Sequence, residues 1–412
     1  MRRMSPTASK PASSQPGLKR VLTLPWLLAY GLGTTIGAGI YVLVGKVAGI
    51  AGTQGHYAFL LAAVAVSLPA LAYAEFVGRA PSAAGSARFV AVGFRRQWPG
   101  TLTGLAVAFA GLTSSATLAL GAAGYLARWL ALPEAALVIA LVTALTGIAI
   151  IGIRESVLAA GIITLLEVGG LVWIIAAALL QRPDDMAAAL AHPPPMTTQE
   201  AARVLSASLL AFFAFIGFED MVTVAEETRR PGPTIARAIM LTIALTAIIY
   251  LGVYAAAIGT VTPEALSASR EPLARVAREL AGVPADAIAA IASFAVINGI
   301  LIQIIMASRI FYGLARTGAL PALLAWVHPR FHTPLPAIVL SGAVILALAL
   351  AVPLTALADV TARIVLGVYA LVCAALLWVK YRGDPLPQGA YHAPAPAVAG
   401  GLIVCLLLLF AA

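Results

Sequence analysis

The chain has 412 residues, of which 61% are hydrophobic and only 10% are charged, and its formal net charge is +9. A soluble protein carries roughly 25% charged residues. So few charges exclude a large soluble protein with buried helices, because its surface could not be covered. The composition is typical of a polytopic α-helical membrane protein.

The distribution of cysteine and histidine bears on catalysis. Both cysteines, Cys373 and Cys405, lie inside apolar runs, and the five histidines fall in or beside predicted loops. This pattern lacks the spacing of a disulfide framework or a CxxC metal site. We therefore expect no metal, no cofactor and no enzymatic activity.

Runs of about 20 apolar residues recur along the chain, which is the length that a hydrocarbon core of roughly 30 Å requires. Residues 1–20 before the first run are polar and basic, without the apolar region of a signal peptide. Hydropathy and helix breakers predict eleven spans, near 24–45, 56–78, 100–127, 134–152, 157–180, 203–225, 234–260, 284–313, 334–352, 358–379 and 394–411.

The basic residues predict the orientation of these spans. If residues 1–20 form a cytoplasmic tail, 18 of the 26 lysines and arginines lie on the cytoplasmic side. Cytoplasmic loops are enriched in Lys and Arg, so we expect a multi-pass protein of the bacterial inner membrane with a cytoplasmic N-terminus. The positive charge is then a topology signal, and no nucleic-acid partner is implied.

Two connections are longer and more polar than the others. Residues 182–200 carry Pro183 and Pro193–Pro195, which break helices. Residues 262–286 are interpreted either as a linker or as a short amphipathic helix on the outer surface.

The first span contains the stretch GLGTTIGAGI, residues 31–40. Each glycine costs a helix about 1 kcal/mol relative to alanine. A dinucleotide-binding loop is excluded, because no strand precedes it and no acidic residue follows at the required distance. Close helix packing through Gly33 and Gly37 is one interpretation. The other is a discontinuous helix, whose unwound backbone is tolerated at membrane depth only where it lines a cavity.

A transporter built from inverted repeats should have a second interrupted helix five spans later. The sixth span reads SASLLAFFAFIGFEDMVTVAEETRRPG. In it Gly217 follows a cluster of phenylalanines, and the acidic pair Glu219–Asp220 ends the apolar run early. The first and sixth spans are thus corresponding members of two five-span units.

Four motifs, in order along the chain, resemble the amino acid–polyamine–organocation (APC) superfamily, particularly bacterial permeases related to cationic amino acid transporters. They are GTTIGAGIYVL (33–43), YAEFVGRAPSAAGSA (73–87), FFAFIGFEDMVTVAEETRRP (212–231) and ASRIFYGLARTGALPALLAWVHPRFHTPLPA (307–337). The resemblance implies an all-α, five-plus-five inverted-repeat fold (LeuT-like) with helices 1 and 6 discontinuous. The expected division is a tail (1–20), a first repeat (21–181), an extracytoplasmic loop (182–202), a second repeat (203–380) and an extra C-terminal helix (381–412).

The same resemblance implies where an amino acid binds. Its carboxylate would meet backbone amides at residues 37–39, and its ammonium group would meet carbonyls freed near residues 35–36 and 212–215. Polar side chains of the third and eighth spans are further candidates, although small hydroxyls in membrane helices often bond their own backbone. The expected substrate-binding residues are Thr35, Ile36, Gly37, Ala38, Gly39, Phe212, Phe215, Ile216, Gly217 and Asn298, with Thr113, Ser114, Ser115 and Thr117 as further lining candidates.

Gates are expected on either side of this site. Phe215 or Phe218 is the candidate aromatic gate, with ordinary helix packing as the alternative. Glu226 and Arg309 are candidates for an inner gate of opposite charges, or for solvated charges at the membrane surface.

Glu167 lies about ten residues from either end of the fifth span, too deep to reach the membrane surface. At a helix centre such a charge costs roughly 2.5–3.5 kcal/mol on insertion scales, and charges there mark function by default. Members of the similar family often carry a lysine at this position, so the charge is reversed here. Glu167 is interpreted as a proton-coupling carboxyl that bonds carbonyls near Gly33 or Ile36, as a partner for a cationic substrate or cation, or as a structural group.

We therefore expect a secondary transporter that moves an amino acid or a related small amine by alternating access, with protons as the expected coupling ion. No GxxxxGK[ST] loop for ATP is present. An exchanger, a polyamine or cationic amino acid permease without proton coupling, a channel, and a sensor that binds without transporting remain alternatives. The sequence leaves the substrate, the direction of coupling and the oligomeric state open.

Overall fold

The computed structural model describes residues 22–36, 39–82, 84–151, 157–192, 197–280, 282–316 and 318–410, without the side chains of 157–163, 226 and 227. Within these residues the chain is almost entirely helical, and its one β-type contact is an isolated bridge between Leu22 and Thr228. The all-α architecture expected from the composition is confirmed.

The first half of the chain forms helices that match the first five predicted spans within a few residues. In chain order they are α1 (Leu24–Ile36), α2 (Gly39–Ala51), α3 (Gly55–Arg79), α4 (Gly85–Phe94), α5 (Gln97–Leu126), α6 (Glu134–Ile151), α7 (Val157–Gln181) and α8 (Pro183–Leu190). Neither α4 nor α8 was predicted. Pro183 starts α8 rather than breaking it, because the first position of a helix needs no backbone N–H donor.

The second half matches the remaining six predicted spans. It contains α9 (Thr198–Phe213), a 3-10 helix (Phe218–Glu227), α10 (Pro231–Thr260), α11 (Pro263–Ala268), α12 (Pro272–Glu279), α13 (Ala285–Arg316), a short 3-10 helix (Ala322–Ala325), α14 (Leu335–Ala351), α15 (Leu354–Tyr381) and α16 (Ala395–Phe410). Eight helical segments of the described chain are long and apolar enough to cross a membrane, and α14 and α16 are shorter apolar helices.

The helical path is interrupted in the sixth span. In the first span α1 is described to Ile36 and α2 from Gly39, and residues 37–38 lie outside the described chain, so the interruption expected there stays a prediction. In the sixth span α9 ends at Phe213, and a turn over 214–217 leads into the 3-10 helix. Gly217 in this turn has φ +127°, a conformation that side-chain-bearing residues rarely adopt. This discontinuity of the sixth span was predicted.

A buried ion cluster ties α3 to α15 at one end of the bundle. The Glu75 side chain is fully buried, and its carboxylate accepts hydrogen bonds from Arg79 Nε (2.8 Å), Lys380 Nζ (2.7 Å) and the backbone N–H of Ala393 (2.8 Å). The last of these bonds holds the segment that leads into α16. A buried carboxylate is tolerated here because it is paired and hydrogen-bonded.

The opposite end of the bundle carries a second group of charges. Arg128, just after α5, pairs with Glu271 before α12 and with Asp286 at the start of α13. Lys46 of α2 donates to the carbonyl of Ser267 in α11 (3.1 Å). The connection over 262–286 is thus not a bare linker: α11 and α12 pack over this end, as the amphipathic interpretation predicted.

Candidate functional site

The first and sixth spans touch each other where the sequence predicted their breaks. A Cβ atom on Gly217 would lie 2.2 Å from the carbonyl oxygen of Thr34, and one on Gly39 would lie 2.9 Å from the Cα of Ala214. Only glycine leaves room for this backbone-to-backbone contact. The glycines of the two spans therefore bring the end of α1 and the start of α2 against the turn that follows α9.

One hydroxyl group from a third helix bridges both breaks. Tyr250 of α10 is fully buried. Its OH lies 2.7 Å from the carbonyl oxygen of Ala214, 3.1 Å from that of Thr35 and 3.3 Å from that of Ile36. Ala214 lies in the turn of the sixth span, and Thr35 and Ile36 are the last residues of α1. A hydroxyl has a single proton to donate, so Tyr250 serves one of these carbonyls at a time, and they are carbonyls that the family resemblance assigned to a substrate ammonium group.

A carboxylate holds the sixth-span break from the other side. Glu219 Oε2 accepts the backbone N–H of Gly217 (2.9 Å) and the hydroxyl of Tyr369 on α15 (2.7 Å). A carboxylate that receives backbone N–H bonds makes strong, charge-assisted contacts. Glu219 is therefore a partner of the break itself.

A cavity of about 70 Å³ opens between the breaks and helices α5, α7 and α13. It is lined by Gly33, Thr34, Thr35, Gly39, Ser114, Leu118, Glu167, Phe213, Ala214, Ile216, Asp220, Ala295, Asn298, Gly299, Ile302 and Gln303. The lining contains two carboxyl and two carboxamide side chains, and no basic side chain is among these residues.

Several predicted binding residues line this cavity: Thr35, Gly39, Ile216 and Asn298, together with Gly33 and Glu167 of the predicted coupling site. Ile36 and Gly217 lie at the breaks but not on the cavity wall. The predicted positions Gly37 and Ala38 fall outside the described residues.

Three lining side chains carry a buried polar atom that has no hydrogen-bond partner within the described parts of the chain: Thr35 Oγ1, Glu167 Oε2 and Gln303 Oε1. Leaving a buried polar group unsatisfied costs about 1–3 kcal/mol. Such groups usually bind water or a ligand. Their convergence on one cavity is the strongest local indication of a binding site.

Glu167 is 3% exposed and lies on the cavity wall. The structure gives it no hydrogen bond to the carbonyls of Gly33 or Ile36 within the described residues, and with residues 37–38 outside them the bond expected from the sequence stays a prediction. The closest approach to Gly33 is made by Thr164, whose Oγ1 would lie 2.1 Å from a Cβ there. Gly33 therefore serves the close packing of α1 on α7, and the carboxyl of Glu167 faces the cavity instead.

The predicted aromatic residues pack away from this cavity. Phe215 is fully buried against Tyr250 (ring centroids 5.0 Å apart), and Phe218 against Tyr73 and Tyr369 (5.4 and 5.2 Å). Phe212 likewise contacts Tyr369. The lining aromatic residue is Phe213.

The predicted inner gate is only partly described. Arg309 on α13 is exposed, and the side chain of Glu226 lies outside the part of the chain that the structure describes. Their pairing stays a prediction.

Some hydroxyl groups of α5 bond their own helix and others do not, which are the two possibilities that the sequence left open. Thr113 and Thr117 bond carbonyls of their own helix, at 3.0 Å from Ala110 O and Thr113 O respectively. Ser115 is buried without a partner in the described chain, and Ser114 lines the cavity.

Sequence reasoning missed Tyr250 and Gln303. A carboxamide inside the apolar run ILIQIIMAS was a usable signal for Gln303, because polar groups in a span are costly. Tyr250 gave no comparable signal, since tyrosines are common in membrane helices. No group of three or more His, Cys, Asp or Glu that could hold a metal ion occurs among the described residues.

Comparison with known proteins identifies the family. The model of the family described as amino acid permease matches residues 22–412. The chain belongs to the amino acid permease family. This confirms the resemblance to the APC superfamily that the motifs indicated, and with it a polytopic membrane transporter.

Individual relatives of this permease carry different names. An uncharacterised transporter of Mycobacterium tuberculosis is 32% identical over 96% of this chain and 86% of its own length. The vacuolar cationic amino acid transporter 2 of Arabidopsis thaliana is 30% identical over 90% of this chain and 62% of its own length. The branched-chain amino acid permease BcaP of Bacillus subtilis is 27% identical, over 96% and 89%.

Proposed function

We propose that this permease is a secondary active transporter that carries an amino acid or a closely related amine across the bacterial inner membrane by alternating access. The observation that carries the proposal is the cavity at the two helix breaks, where three buried polar atoms lack partners. The names of the relatives, which include cationic and branched-chain amino acid transporters, support the same substrate class.

The breaks supply complementary groups for a zwitterion. With the first span broken as the sequence predicts, the N-terminus of α2 would offer free backbone N–H groups and the positive end of a helix dipole, which suit a carboxylate. Gly39 lies at this end, and Gly37 and Ala38 precede it. The carbonyls of Thr35, Ile36 and Ala214 suit an ammonium group, which can donate three hydrogen bonds, although they share the hydroxyl of Tyr250.

Glu167 is the proposed proton-carrying group. Burial in an apolar environment disfavours a charged carboxylate, and its Oε2 has no partner in the described chain to offset that cost. A carboxyl on the wall of the transport cavity exchanges protons with the solution on the side of the membrane to which the cavity is open. Loading and losing its proton in step with the cavity would couple transport to a pH gradient.

The proposed orientation places the Glu75 cluster on the cytoplasmic side and the Arg128 cluster on the periplasmic side. It rests on the excess of Lys and Arg in the predicted cytoplasmic loops. Cysteine labelling from each side of right-side-out vesicles tests this topology independently of activity.

The test of function uses the purified chain in proteoliposomes. Radiolabelled amino acids are offered in counterflow, where a binding-only sensor gives no flux and a channel gives no counterflow. We expect saturable counterflow with at least one amino acid or amine. Its absence across a full panel would refute the proposal.

Proton coupling is tested with Glu167→Gln. This variant should lose the pH dependence of net uptake and keep exchange at saturating substrate. Glu264→Gln, a change at an exposed acid on α11, is the matched control and should behave as the wild type. Unchanged pH dependence in Glu167→Gln would remove Glu167 from the coupling mechanism.

A further inference from the structure

The position of Glu167 bears on the direction of coupling, which the proposed function leaves open. The carboxyl does not occupy a chamber of its own beside the substrate cavity. It shares the cavity wall with Thr35 of the first break and with Asn298 and Gln303 of α13. A proton and a ligand that enter this cavity therefore meet the same oxygen atoms.

The charge of the lining points to the class of ligand. An amino acid carries one positive and one negative charge on its α-groups, and the breaks can serve both. Beyond the breaks, the cavity adds the carboxyls of Glu167 and Asp220 and the amide oxygen of Gln303, and none of its lining residues is basic. A lining with two carboxyl groups and no basic side chain complements a ligand with a net positive charge.

Among the described residues, the surroundings of Glu167 contain no basic group that would neutralise it. From α2, Tyr41 donates its OH to the backbone oxygen of Glu167 (2.7 Å), not to the carboxylate. From α10, Tyr250 is directed to the breaks, and from α1 and α13 the nearby lining groups are not titratable. Asp220 lines the same cavity with a like charge. The aspartates of α8, Asp184 and Asp185, lie at the far end of α7.

We propose, building on the transport function above, that Glu167 binds a proton and the cationic side chain of the substrate in turn, so that this permease exchanges a cationic amino acid for a proton. Binding of the substrate ammonium or guanidinium group to the carboxylate requires that its proton has left. Release of the substrate on the opposite side leaves a buried carboxylate that must take up a proton before the cavity turns back.

The charge balance of this cycle is specific. One proton leaves the Glu167 carboxyl when one substrate binds, and one proton is taken up when it leaves. An amino acid with a cationic side chain carries a net charge of one, so the exchange moves no net charge. Proton symport of the same substrate would instead move two positive charges, and uniport would move one.

The experiment follows uptake of radiolabelled L-lysine into proteoliposomes that contain the full chain. Three pH arrangements are compared: acid lumen, acid exterior and equal pH. Each is measured with and without a membrane potential imposed by potassium and valinomycin. We expect an acid lumen to drive uptake several-fold above equal pH, with no effect of the potential. Uptake driven by an acid exterior, or by a negative lumen at equal pH, would overturn the proposal.

A binding measurement gives a second test that does not depend on flux. If protons and lysine compete for one carboxyl, the dissociation constant for lysine should rise as the pH falls. The rise should reach tenfold per pH unit at pH values at which that carboxyl is mostly protonated. In Glu167→Gln it should be raised and independent of pH, whereas Glu264→Gln should match the wild type. A dissociation constant in the wild type that does not change with pH would refute competition.

The failure of this inference can be told from failure of the proposed function. Suppose that some amino acid shows counterflow, but lysine transport is absent, electrogenic or driven by an acid exterior. This result overturns only the proposed exchange of a cationic amino acid for a proton. No counterflow and no binding of any amino acid overturns both.

Discussion

Replacing Tyr250 by phenylalanine removes one hydroxyl and leaves the ring in place. The ring keeps its edge contacts with Phe215 (centroids 5.0 Å apart) and Phe59 (5.8 Å). What is lost is the bridge between the carbonyl of Ala214 in one break and the carbonyls at the end of α1 in the other. We expect the two breaks to lose their fixed relation and substrate affinity to fall.

The size of the effect follows from burial. A hydrogen bond contributes about 0.5–1.5 kcal/mol net, and a buried carbonyl left without its donor costs about 1–3 kcal/mol. A change of about 1–3 kcal/mol corresponds to a factor of roughly five to 150 in an equilibrium constant. The Tyr250→Phe variant should therefore bind its counterflow substrate at least fivefold more weakly, with a lowered unfolding temperature.

The matched control is Tyr254→Phe. Tyr254 is also buried on α10, and its OH donates to a backbone carbonyl, that of Gly52, which follows the far end of α2. Both variants should lose similar stability in thermal unfolding, and only Tyr250→Phe should lose substrate affinity in counterflow. Equal affinities in the two variants would show that the bridge at the breaks has no role in binding.

Four further changes test the packing around the site. Gly33→Ala should impair folding or transport because its Cβ would overlap Thr164 Oγ1 (2.1 Å), and the added change Thr164→Ala should restore counterflow. Glu219→Ala should lower counterflow strongly, whereas Glu219→Gln, which keeps an acceptor for the break, should lose much less. Glu75→Gln should lower the unfolding temperature by an amount that corresponds to about 3–5 kcal/mol, because a buried ion pair is broken. Thr246→Val should raise the unfolding temperature, since it removes a buried hydroxyl that has no partner in the described chain, worth about 1–3 kcal/mol.

The spans and the interruption of the sixth span were predictable because both depend on local sequence. Apolar length sets a membrane helix, and the eleven predicted spans all correspond to helices. Gly217 was a usable signal for the same reason, because glycine acts on the backbone of its own segment. The short helices α4 and α8 were missed because they do not cross the membrane and so carry no hydropathy signal of sufficient length.

The side-chain content of the site was predictable only in part. Glu167 and Asn298 were found because polar groups in apolar runs are unusual. The orientation of Phe215 and Phe218 was not predictable. The helix ends in a turn and continues as a 3-10 helix, so the α-helical period no longer indicates which side chains share a face. Tyr250 contacts the carbonyls of Ala214 and Thr35, which are separated from it in the chain by 36 and 215 positions respectively. Local sequence does not encode such tertiary contacts.

The chemistry of Tyr250 explains how one site can be held together and still be available. A hydroxyl has one proton to donate, yet three carbonyl oxygens lie within 3.3 Å of it. At any moment two of the three lack that proton. In the proposed site, an arriving ammonium group, which can donate three hydrogen bonds, would use the remaining acceptors without displacing the tyrosine. Such a site would be preorganised by the protein and completed by the substrate, an arrangement that limits the entropy cost of binding.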